Sequence, residues 1–280
     1  MSNKKDSLGD RMKNNYENRS KTYLTRRVPV IYRLDGRAFH SFTRGLKRPY
    51  DEIFHKAMND TLMYLCKNIQ GCKVGYTQSD EITLLLVDYD TITTDAWFDY
   101  SVQKMCSIAA SMATLAFNKS FAKSADDFFR NNIKDVDEKN EDVIYFKTLM
   151  KAVETGAMFD ARCFNIPEDE VVNCFIWRQQ DATRNAIQML GQCNFPHKAL
   201  QGKSCNDIQD MLMTIKGINF NDMPIEFKRG VCCIKVTEQD PDIDIKDGAY
   251  PITYWKLDKN IPIFTQDRAY LEKCFDVKEN

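Results

Sequence analysis

The chain has 280 residues, of which 43% are hydrophobic and 28% are charged, with a formal net charge of −1. This composition is typical of a globular protein with a sizeable core, and the sequence has no internal repeat or low-complexity tract. No apolar run approaches the ~20 residues that span a bilayer, and residues 1–6 are polar without an apolar signal core. We therefore expect a cytoplasmic protein without membrane contact.

Charge is unevenly distributed along the chain. Residues 1–27 carry eight basic and three acidic side chains, whereas residues 231–280 carry seven basic and ten acidic ones. A basic N-terminal arm over residues 1–27 could meet phosphate groups. A solvated chain end explains the same composition equally well.

The cysteines and histidines do not form a recognisable metal site. The ten cysteines contain no CxxC pair or evident zinc spacing, so we expect reduced thiols of a cytosolic protein. Cys232 and Cys233 are adjacent in a predicted strand and should point to opposite faces. His55 and His197 are interpreted as incidental, and three histidines in all argue against a zinc site.

The first half of the chain alternates between apolar runs and helical patterns. Pro29 stands near the start of the first apolar run, where a strand tolerates a missing N–H. Asp51 is a good N-cap, and apolar residues recur after it at helical spacing. The pattern predicts strands at 28–35, 73–78, 82–89 and 157–166, helices at 52–69 and 95–122, and a solvated, acid-rich insertion at 124–142.

This order of elements, β-α-β-β-α-β, is the ferredoxin-like pattern that also underlies polymerase palms. We therefore predict an α+β, polymerase-palm-like fold whose antiparallel sheet has the spatial order 4-1-3-2. In that order the first strand lies beside the third and runs opposite to it. The end of the first strand, at Asp35, would meet the start of the third, at Asp80 and Glu81.

Convergence of three carboxylates would need a cation, because like charges at one place repel one another. Mg²⁺ is the natural choice, since it is held by one or two carboxylates, waters and substrate phosphates. Two such ions could bridge the attacking and leaving oxygens of a phosphoryl or nucleotidyl transfer. Each cluster alone has a simpler interpretation: Asp35-Gly36 is a common turn dipeptide, and Ser79-Asp80-Glu81 could be an exposed hairpin tip.

Residues near these clusters are candidate partners of phosphate groups. The backbone N–H groups of 37–40, helped by Arg37, could hold a triphosphate. Phe39 could equally be a core residue and His40 a satisfied polar residue. Arg162 stands among apolar strand residues and should have an anionic partner. Four further cations could pair with phosphate or simply lie on the surface: Arg44, Lys47, Arg48 and Lys104.

The second half of the chain is less regular. The pattern predicts helices at 168–190 and 204–216, strands at 230–237 and 252–257, and a turn at Asp240–Asp244. We divide the chain into the basic arm (1–27), a palm-like catalytic region (28–167), and a C-terminal helical and β extension (168–280) packed on the palm.

Eight segments of the chain form an ordered set of motifs: Arg33–Phe42, Lys47–Asp51, Gly75–Glu81, Phe159–Arg162, Trp177–Asp181, Leu200–Gly202, Ile218–Asn221 and Lys228–Gly230. Together they resemble the tRNA-His guanylyltransferase family over about residues 28–235. The resemblance implies a palm-like domain that adds nucleotides to the 5′ end of tRNA in the 3′→5′ direction. It also implies activation of a 5′-monophosphate by ATP or GTP, and a homo-oligomer, commonly a tetramer.

The resemblance also implies roles for individual residues. Asp35, the Gly36 carbonyl and Asp80 would hold two Mg²⁺ ions, and Glu81 would support these catalytic carboxylates. The residues expected to contact ATP, GTP or another nucleoside triphosphate are Asp35, Gly36, Arg37, Ala38, Phe39, His40, Arg48, Ser79, Asp80 and Lys104. The residues expected to contact tRNA are Arg27, Arg162, Arg178 and Lys203. The C-terminal region would serve tRNA binding and oligomerisation.

One segment departs from the family pattern. Where eukaryotic guanylyltransferases carry a His-Ile-Asn-Asn box, this chain has Thr183-Arg184-Asn185-Ala186, so that only Asn185 matches. The box is associated with guanylate addition to tRNA-His. The chain resembles instead the guanylyltransferase-like branch, which restores missing 5′ nucleotides on truncated tRNA against the opposite strand. Repair is therefore the leading hypothesis. The alternatives are guanylate addition to tRNA-His, a non-catalytic tRNA-binding protein, or another palm enzyme such as a nucleotide cyclase.

Overall fold

An antiparallel sheet with helices on both faces is the centre of the fold. The structure, a computed structural model, describes residues 7–134, 137, 139–238 and 252–275. Its strands within these residues are β1 (Val30–Gly36), β2 (Cys72–Gln78), β3 (Glu81–Leu86), β4 (Phe159–Asn165), β5 (Val231–Glu238) and β6 (Ile252–Asp258). Its helices are α1 (Leu8–Asn15), α2 (Phe39–Phe42), α3 (Glu52–Asn68), α4 (Val102–Asn132), α5 (Glu141–Thr155), α6 (Glu168–Asn194), α7 (His197–Leu200), α8 (Cys205–Lys216), α9 (Ile225–Arg229) and α10 (Ala269–Glu272).

The strand order is β4-β1-β3-β2-β5-β6, and each neighbouring pair is antiparallel. The predicted order 4-1-3-2 and the palm-like α+β class are confirmed. In register, Asp35 lies opposite Glu81 on one side and Asp160 on the other. The C-terminal region does more than pack on the palm, because β5 and β6 extend the same sheet beyond β2.

The two faces of the sheet pack into separate cores. Tyr32 and Leu34 of β1 are buried with residues of α3 and α4, whereas Ile31, the residue before Tyr32, is buried with residues of α6. Successive strand residues point to opposite faces, which produces this division. Cys232 and Cys233 likewise lie in different cores, as predicted. All ten cysteines fall within the described residues, and all are free thiols.

α4 differs from the helix predicted at 95–122. It begins at Val102, after a 3₁₀ turn in which Phe98 and Asp99 adopt left-handed φ angles of 51° and 50°. No glycine marks this turn, so the sequence carried no signal for it. At the other end the helix continues to Asn132.

The acid-rich segment 124–142 is not a solvated insertion, and that prediction is wrong. Its first part belongs to α4, where Ala125 is fully buried. The Phe128 ring meets Tyr145 of α5 edge-on, with centroids 5.1 Å apart. The acidic side chains, such as Asp126, occupy the outer side of the helix. Because the segment is rich in acidic residues, sequence reasoning missed both the amphipathic end of α4 and the start of α5, which packs on it.

The N-terminal arm is anchored where it enters the sheet. α1 is exposed along its length, but Arg26 Nε donates to Asp88 Oδ2 at 3.0 Å, and the N–H of Arg27 donates to Asp88 Oδ1 at 2.8 Å. Among the described residues, no helix has the length and apolar character that a bilayer crossing requires. The turn predicted at Asp240–Asp244 lies outside the described residues.

Candidate active site

The carboxylates predicted to converge do so at one end of the sheet. Asp35 pairs in register with Glu81, and the N–H of Gly36 donates to the carbonyl of Asp80 at 3.1 Å. Ser79, in the tight turn between β2 and β3, adopts a left-handed φ of 48°, a geometry suited to short hairpin connections. The turn thus holds Asp80 beside the end of β1.

Asp80 has the electrostatics of a crowded anionic site. Burial raises the pKa of Asp80 and the nearby Asp35 charge raises it further, while a hydrogen bond from Ser79 Oγ at 3.1 Å opposes the rise. Within the described ranges, no group of three or more His, Cys, Asp or Glu side chains is arranged to hold a metal. Two carboxylates and the Gly36 carbonyl fit Mg²⁺ all the same, because this ion keeps several waters and completes its shell with substrate phosphates.

Glu81 is held from behind by a buried arginine of α6. Arg178 Nε lies 3.0 Å from Glu81 Oε1 without hydrogen-bond geometry, and Arg178 Nη2 donates to Asp181 Oδ2 at 2.5 Å. Burial raises the pKa of Glu81, and the charge of Arg178 opposes that rise. Because Arg178 is buried, it has no exposed face to offer tRNA, against the expectation from sequence. It positions a carboxylate instead.

A cleft of about 380 Å³ opens beside Asp80, a volume in the range of small-molecule sites. Its walls come from the β1–α3 connection, the start of α3, the β2–β3 turn, α6 and α9. The predicted nucleotide contacts that line it are Phe39, His40, Arg48, Ser79 and Asp80. Sequence reasoning missed the contributions of α6 and α9, which include Asn185, Ala186, Met189, Glu226 and Phe227. Asn185 alone had a signal, as the single match to the family box.

His55 contributes a neutral imidazole to the cleft and is not incidental. Its ring stacks on Tyr50 at 3.9 Å. Burial lowers the pKa of His55 to about 4, although the negative charges of Glu226 and Asp51 oppose the shift and Lys259 reinforces it. A neutral imidazole has one nitrogen that donates a hydrogen bond and one that accepts. The His55 side chain can therefore do both in the cleft, and it stays uncharged near neutral pH.

The loop after β1 is shaped by close packing at Gly36. A Cβ at Gly36 would lie 2.3 Å from the ring of Phe39. That ring cannot move aside, because four buried phenylalanine rings surround it at centroid distances from 5.1 to 6.0 Å. Phe39 is therefore a core residue that also lines the cleft. The loop turns at Ala38, with φ 55°, and the N–H of Arg37 donates to the Met158 carbonyl at 2.8 Å.

Lys104 is not brought to the cleft. It lies near the start of α4, with Nζ 4.5 Å from the centroid of the Phe98 ring. Farther along the same helix, Thr114 Oγ1 accepts from the N–H of Phe159 at the active-site end of β4. At 1.5 Å per residue, Lys104 is roughly 15 Å from that point along the helix axis.

The remaining predicted tRNA contacts are spread over the surface. Arg27 precedes β1, at the end of the strand away from the carboxylates. Lys203 is exposed between α7 and α8. Arg162 is exposed on β4 and has the anionic partner expected of it, since its Nη2 donates to Asp160 Oδ1 at 2.8 Å. The cleft is not lined by Arg27, Arg162 or Lys203. Their contacts with tRNA stay predictions.

A palm-like sheet that brings carboxylates to the mouth of a nucleotide-sized cleft defines a nucleotidyltransferase of the polymerase-palm type. The family model described as Thg1, tRNAHis guanylyltransferase, matches residues 9–167. The chain belongs to this family and is an enzyme of the nucleotidyltransferase class, which confirms the resemblance seen in its motifs.

Solved structures and relatives agree with this assignment. A bacterial tRNA(His) guanylyltransferase (Thg1)-like protein in complex with ATP is 40% identical, with a TM-score of 0.77 over 97% of this chain and 100% of its own. A structure of such a protein in complex with GTP is 37% identical, with a TM-score of 0.73 over 98% and 100%. The uncharacterised protein R259 of Acanthamoeba polyphaga mimivirus is 29% identical over 237 residues, 81% of this chain and 76% of that protein.

Proposed function

We propose that this nucleotidyltransferase repairs tRNA by adding nucleotides to an incomplete 5′ end, in the 3′→5′ direction, with the opposite strand as template. The observation that carries the proposal is that Asp80 lines the cleft while Asp35 lies next to it at the end of β1. A triphosphate bound in the cleft would have its phosphates at these carboxylates. The 5′ end of the RNA would approach from the open side.

The cleft would bind ATP, GTP or another nucleoside triphosphate, as the two solved bacterial relatives do by name. Arg48 lines the cleft and is exposed there, which suits a cation that pairs with phosphate. The first N–H groups of α2 have no intrahelical partners. Because the turn at Ala38 precedes them, they would add donors near the phosphates.

Asp35, Asp80 and the Gly36 carbonyl would hold two Mg²⁺ ions. When bound, the ions would neutralise phosphate charge and activate the attacking oxygen. The chain itself contributes position: the β1–β3 register fixes the carboxylates, and Arg178 fixes Glu81 behind them. Catalysis of phosphoryl transfer rests largely on such positioning and charge stabilisation.

The segment that departs from the family box supports repair over guanylate addition. Thr183 Oγ1 donates to the carbonyl of Lys228 at 3.0 Å, so its hydroxyl is occupied against α9, and Arg184 pairs with Asp181. Only Asn185 and Ala186 of this segment line the cleft. The wall therefore lacks the histidine of the box. Base pairing with a template would then select the incoming nucleotide.

The test is nucleotide incorporation with purified protein, Mg²⁺ and all four nucleoside triphosphates. One substrate is a 5′-triphosphorylated tRNA that lacks its first nucleotide, and the other is full-length tRNA-His. We expect template-matched extension of the truncated tRNA that is lost in Asp80→Ala. Asp126→Ala, which removes an exposed carboxylate of α4, should extend normally.

Each other outcome points to an alternative. Guanylate addition only to full-length tRNA-His would replace repair with the activity for which the family is named. Incorporation that ignores the template base would refute templated repair. Binding of tRNA without incorporation into either RNA would favour a non-catalytic protein.

The proposal extends to the assembly and its surroundings. A tRNA is large compared with one 280-residue chain, so we propose a homotetramer in the cytoplasm that engages tRNA with more than one subunit. The basic arm and the C-terminal region would share the grip on tRNA, while residues 28–167 carry catalysis. Light scattering at several protein concentrations tests the tetramer.

A further inference from the structure

One wall of the cleft is a loop that α4 and α5 support from outside the cleft. This loop, residues 45–51 and here named the cleft loop, carries Arg48. Thr148 of α5 packs at its start, where a Cβ on Gly45 would lie 3.0 Å from Thr148 Cγ2. Among the described residues, none from α4 or α5 lines the cleft itself. The two helices can therefore influence the cleft only through the loop that they support.

Two neighbouring cations of the cleft loop have different surroundings, although both line the cleft. Lys47 Nζ lies 4.5 Å from the centroid of the Tyr145 ring and 5.5 Å from that of Phe128, so cation–π attraction holds it on α4 and α5. Burial raises the pKa of Cys193 on α6, and the positive charge of Arg48 opposes that rise. Lys47 is thus attached to the supporting helices, while Arg48 extends toward α6.

A buried carboxylate joins the cleft loop to α5. Asp51 Oδ2 accepts hydrogen bonds from the N–H of Lys47 at 2.9 Å and from Tyr145 Oη at 2.6 Å. Its other oxygen accepts from the N–H of Phe54 and caps α3. Burial and the bond to Asp51 raise the pKa of Tyr145, so its hydroxyl stays protonated and remains a donor. The residues on both sides of Arg48 are therefore fastened to α5 through one carboxylate and one hydroxyl.

A ligand binds more weakly when the conformation that receives it is populated for only part of the time. We propose that Tyr145 is a positioning residue of the nucleotide site. Its hydroxyl holds Asp51 and its ring holds Lys47, and together they keep the cleft loop in the conformation in which Arg48 faces the triphosphate. The inference rests on the proposed function, because it takes the cleft to be the nucleotide site. It gives α4 and α5 a role in nucleotide binding without contact to the nucleotide.

Steady-state incorporation into the truncated tRNA tests the positioning role. Tyr145→Phe removes only the hydroxyl and keeps the ring beside Lys47. If the competent conformation falls to roughly a third to a tenth of the molecules, the KM for the nucleotide should rise about 3- to 10-fold. The kcat and the KM for RNA should not change. Arg48→Met removes the direct contact and should raise the KM for the nucleotide by about 10- to 150-fold, as for one lost hydrogen bond to a charged group. An unchanged KM for the nucleotide in Tyr145→Phe would overturn the proposal.

A double substitution shows whether Tyr145 acts through Arg48. Once Arg48 is replaced by methionine, the placement of residue 48 no longer matters, so Tyr145→Phe should add little to the rise in KM for the nucleotide. Lys47→Met should follow the same pattern, with a rise in the wild-type background and little further rise in Arg48→Met. If the separate effects of Tyr145→Phe and Arg48→Met multiply in the double variant, Tyr145 does not act through Arg48 and the proposal is wrong.

Tyr270 is a matched control, because it makes the same kind of bond in the other core. It is buried, and its Oη donates to Asp258 Oδ2 at 2.7 Å. Neither Tyr270 nor Asp258 lines the cleft. Tyr270→Phe should therefore lose stability in urea unfolding as Tyr145→Phe does, but it should keep the wild-type KM for the nucleotide. An equal rise in KM in the two variants would trace the effect to general loosening of the fold and would contradict positioning by Tyr145.

Nucleotide binding without RNA separates this inference from the proposed function. Calorimetric titration with GTP and Mg²⁺ needs no turnover, and the Kd in Tyr145→Phe should rise by the same factor as the KM. A wild type that binds GTP but incorporates no nucleotide into either RNA would refute the proposed function, and weaker binding by Tyr145→Phe would still support the positioning role. Incorporation by the wild type, with the same Kd for GTP in Tyr145→Phe, would refute the positioning role alone.

Discussion

Replacing Arg178 with methionine should destabilise the protein by stranding a buried carboxylate. The side chains of Arg178 and Glu81 are only 5% and 11% exposed, so water cannot replace the lost partner. Loss of one member of a buried ion pair costs about 3–5 kcal/mol. Asp181 is less affected, because it keeps its ion pair with Arg184.

The expected shift in melting temperature follows from the size of the chain. Unfolding entropy is about 2.1 cal/mol/K per residue, which gives roughly 0.6 kcal/mol/K for 280 residues. A loss of about 3–5 kcal/mol should therefore lower the Tm by about 5–8 °C. Thermal unfolding followed by circular dichroism measures it.

A double-mutant cycle separates the charge effect from lost packing. Glu81→Gln combined with Arg178→Met removes both charges, so the double variant should be more stable than Arg178→Met alone. Arg130→Met is the matched control, since Arg130 is 70% exposed and pairs with Asp126 at 2.6 Å. Exposed pairs contribute about 0–1 kcal/mol. If Arg178→Met lowers the Tm no more than this control, or if the effects at 81 and 178 merely add, the reasoning is wrong.

Three further predictions concern the cleft. Gly36→Ala forces a Cβ against the Phe39 ring, so it should cost about 1–3 kcal/mol in urea unfolding and lower nucleotide incorporation. The pKa of His55 is lowered from 6.5 to about 4, so the unfolded chain binds a proton that the folded chain excludes; stability should fall by about 3 kcal/mol between pH 6.5 and 4, and by less in His55→Asn. Asp51 is buried and accepts hydrogen bonds from two backbone N–H groups and from Tyr145 Oη; Asp51→Ala should therefore cost about 4 kcal/mol.

Each of these predictions has a control or a contradicting result. Gly9 lies in the exposed α1, where an added Cβ would meet only Ser7 Oγ at 3.9 Å, an ordinary contact distance, so Gly9→Ala should not destabilise. Ser204 caps α8 at the surface, and Ser204→Ala should cost only about 1 kcal/mol; a similar loss in Asp51→Ala would contradict the buried network. The same decline in stability toward pH 4 for wild type and His55→Asn would assign it to other groups.

The central sheet could be predicted from sequence because its signals are local. The apolar runs before Asp35 and after Glu81 determine two strands, and the connection lengths between elements permit the palm order. That order alone brings the carboxylates together. The start of α3 could also be predicted from a local signal, because Asp51 caps the helix by accepting a hydrogen bond from the N–H of Phe54, three residues later.

Composition misled where it outweighed periodicity. The acidic surplus of 124–142 suggested solvent, yet the buried side of α4 needs only Ala125 and Phe128 at the right spacing. The charged side chains lie on the outer face of the helix, where they stay hydrated and do not reduce the stability of the fold. Net charge over a window says little about a helix whose polar and apolar residues lie on different sides.

Only the tertiary structure determined the surroundings of the carboxylates. The family resemblance placed Arg178 among the tRNA contacts, but packing of α6 on the sheet buries it against Glu81. His55 and Glu226, far apart in the chain, line one cleft, although α3 packs in the core on one face of the sheet and Ile225 of α9 packs against the core on the other. The strands, and the carboxylates at their ends, could be predicted because each depends on residues close together in the sequence. The cleft and the buried ion pair arise from contacts between distant segments, which no local pattern records.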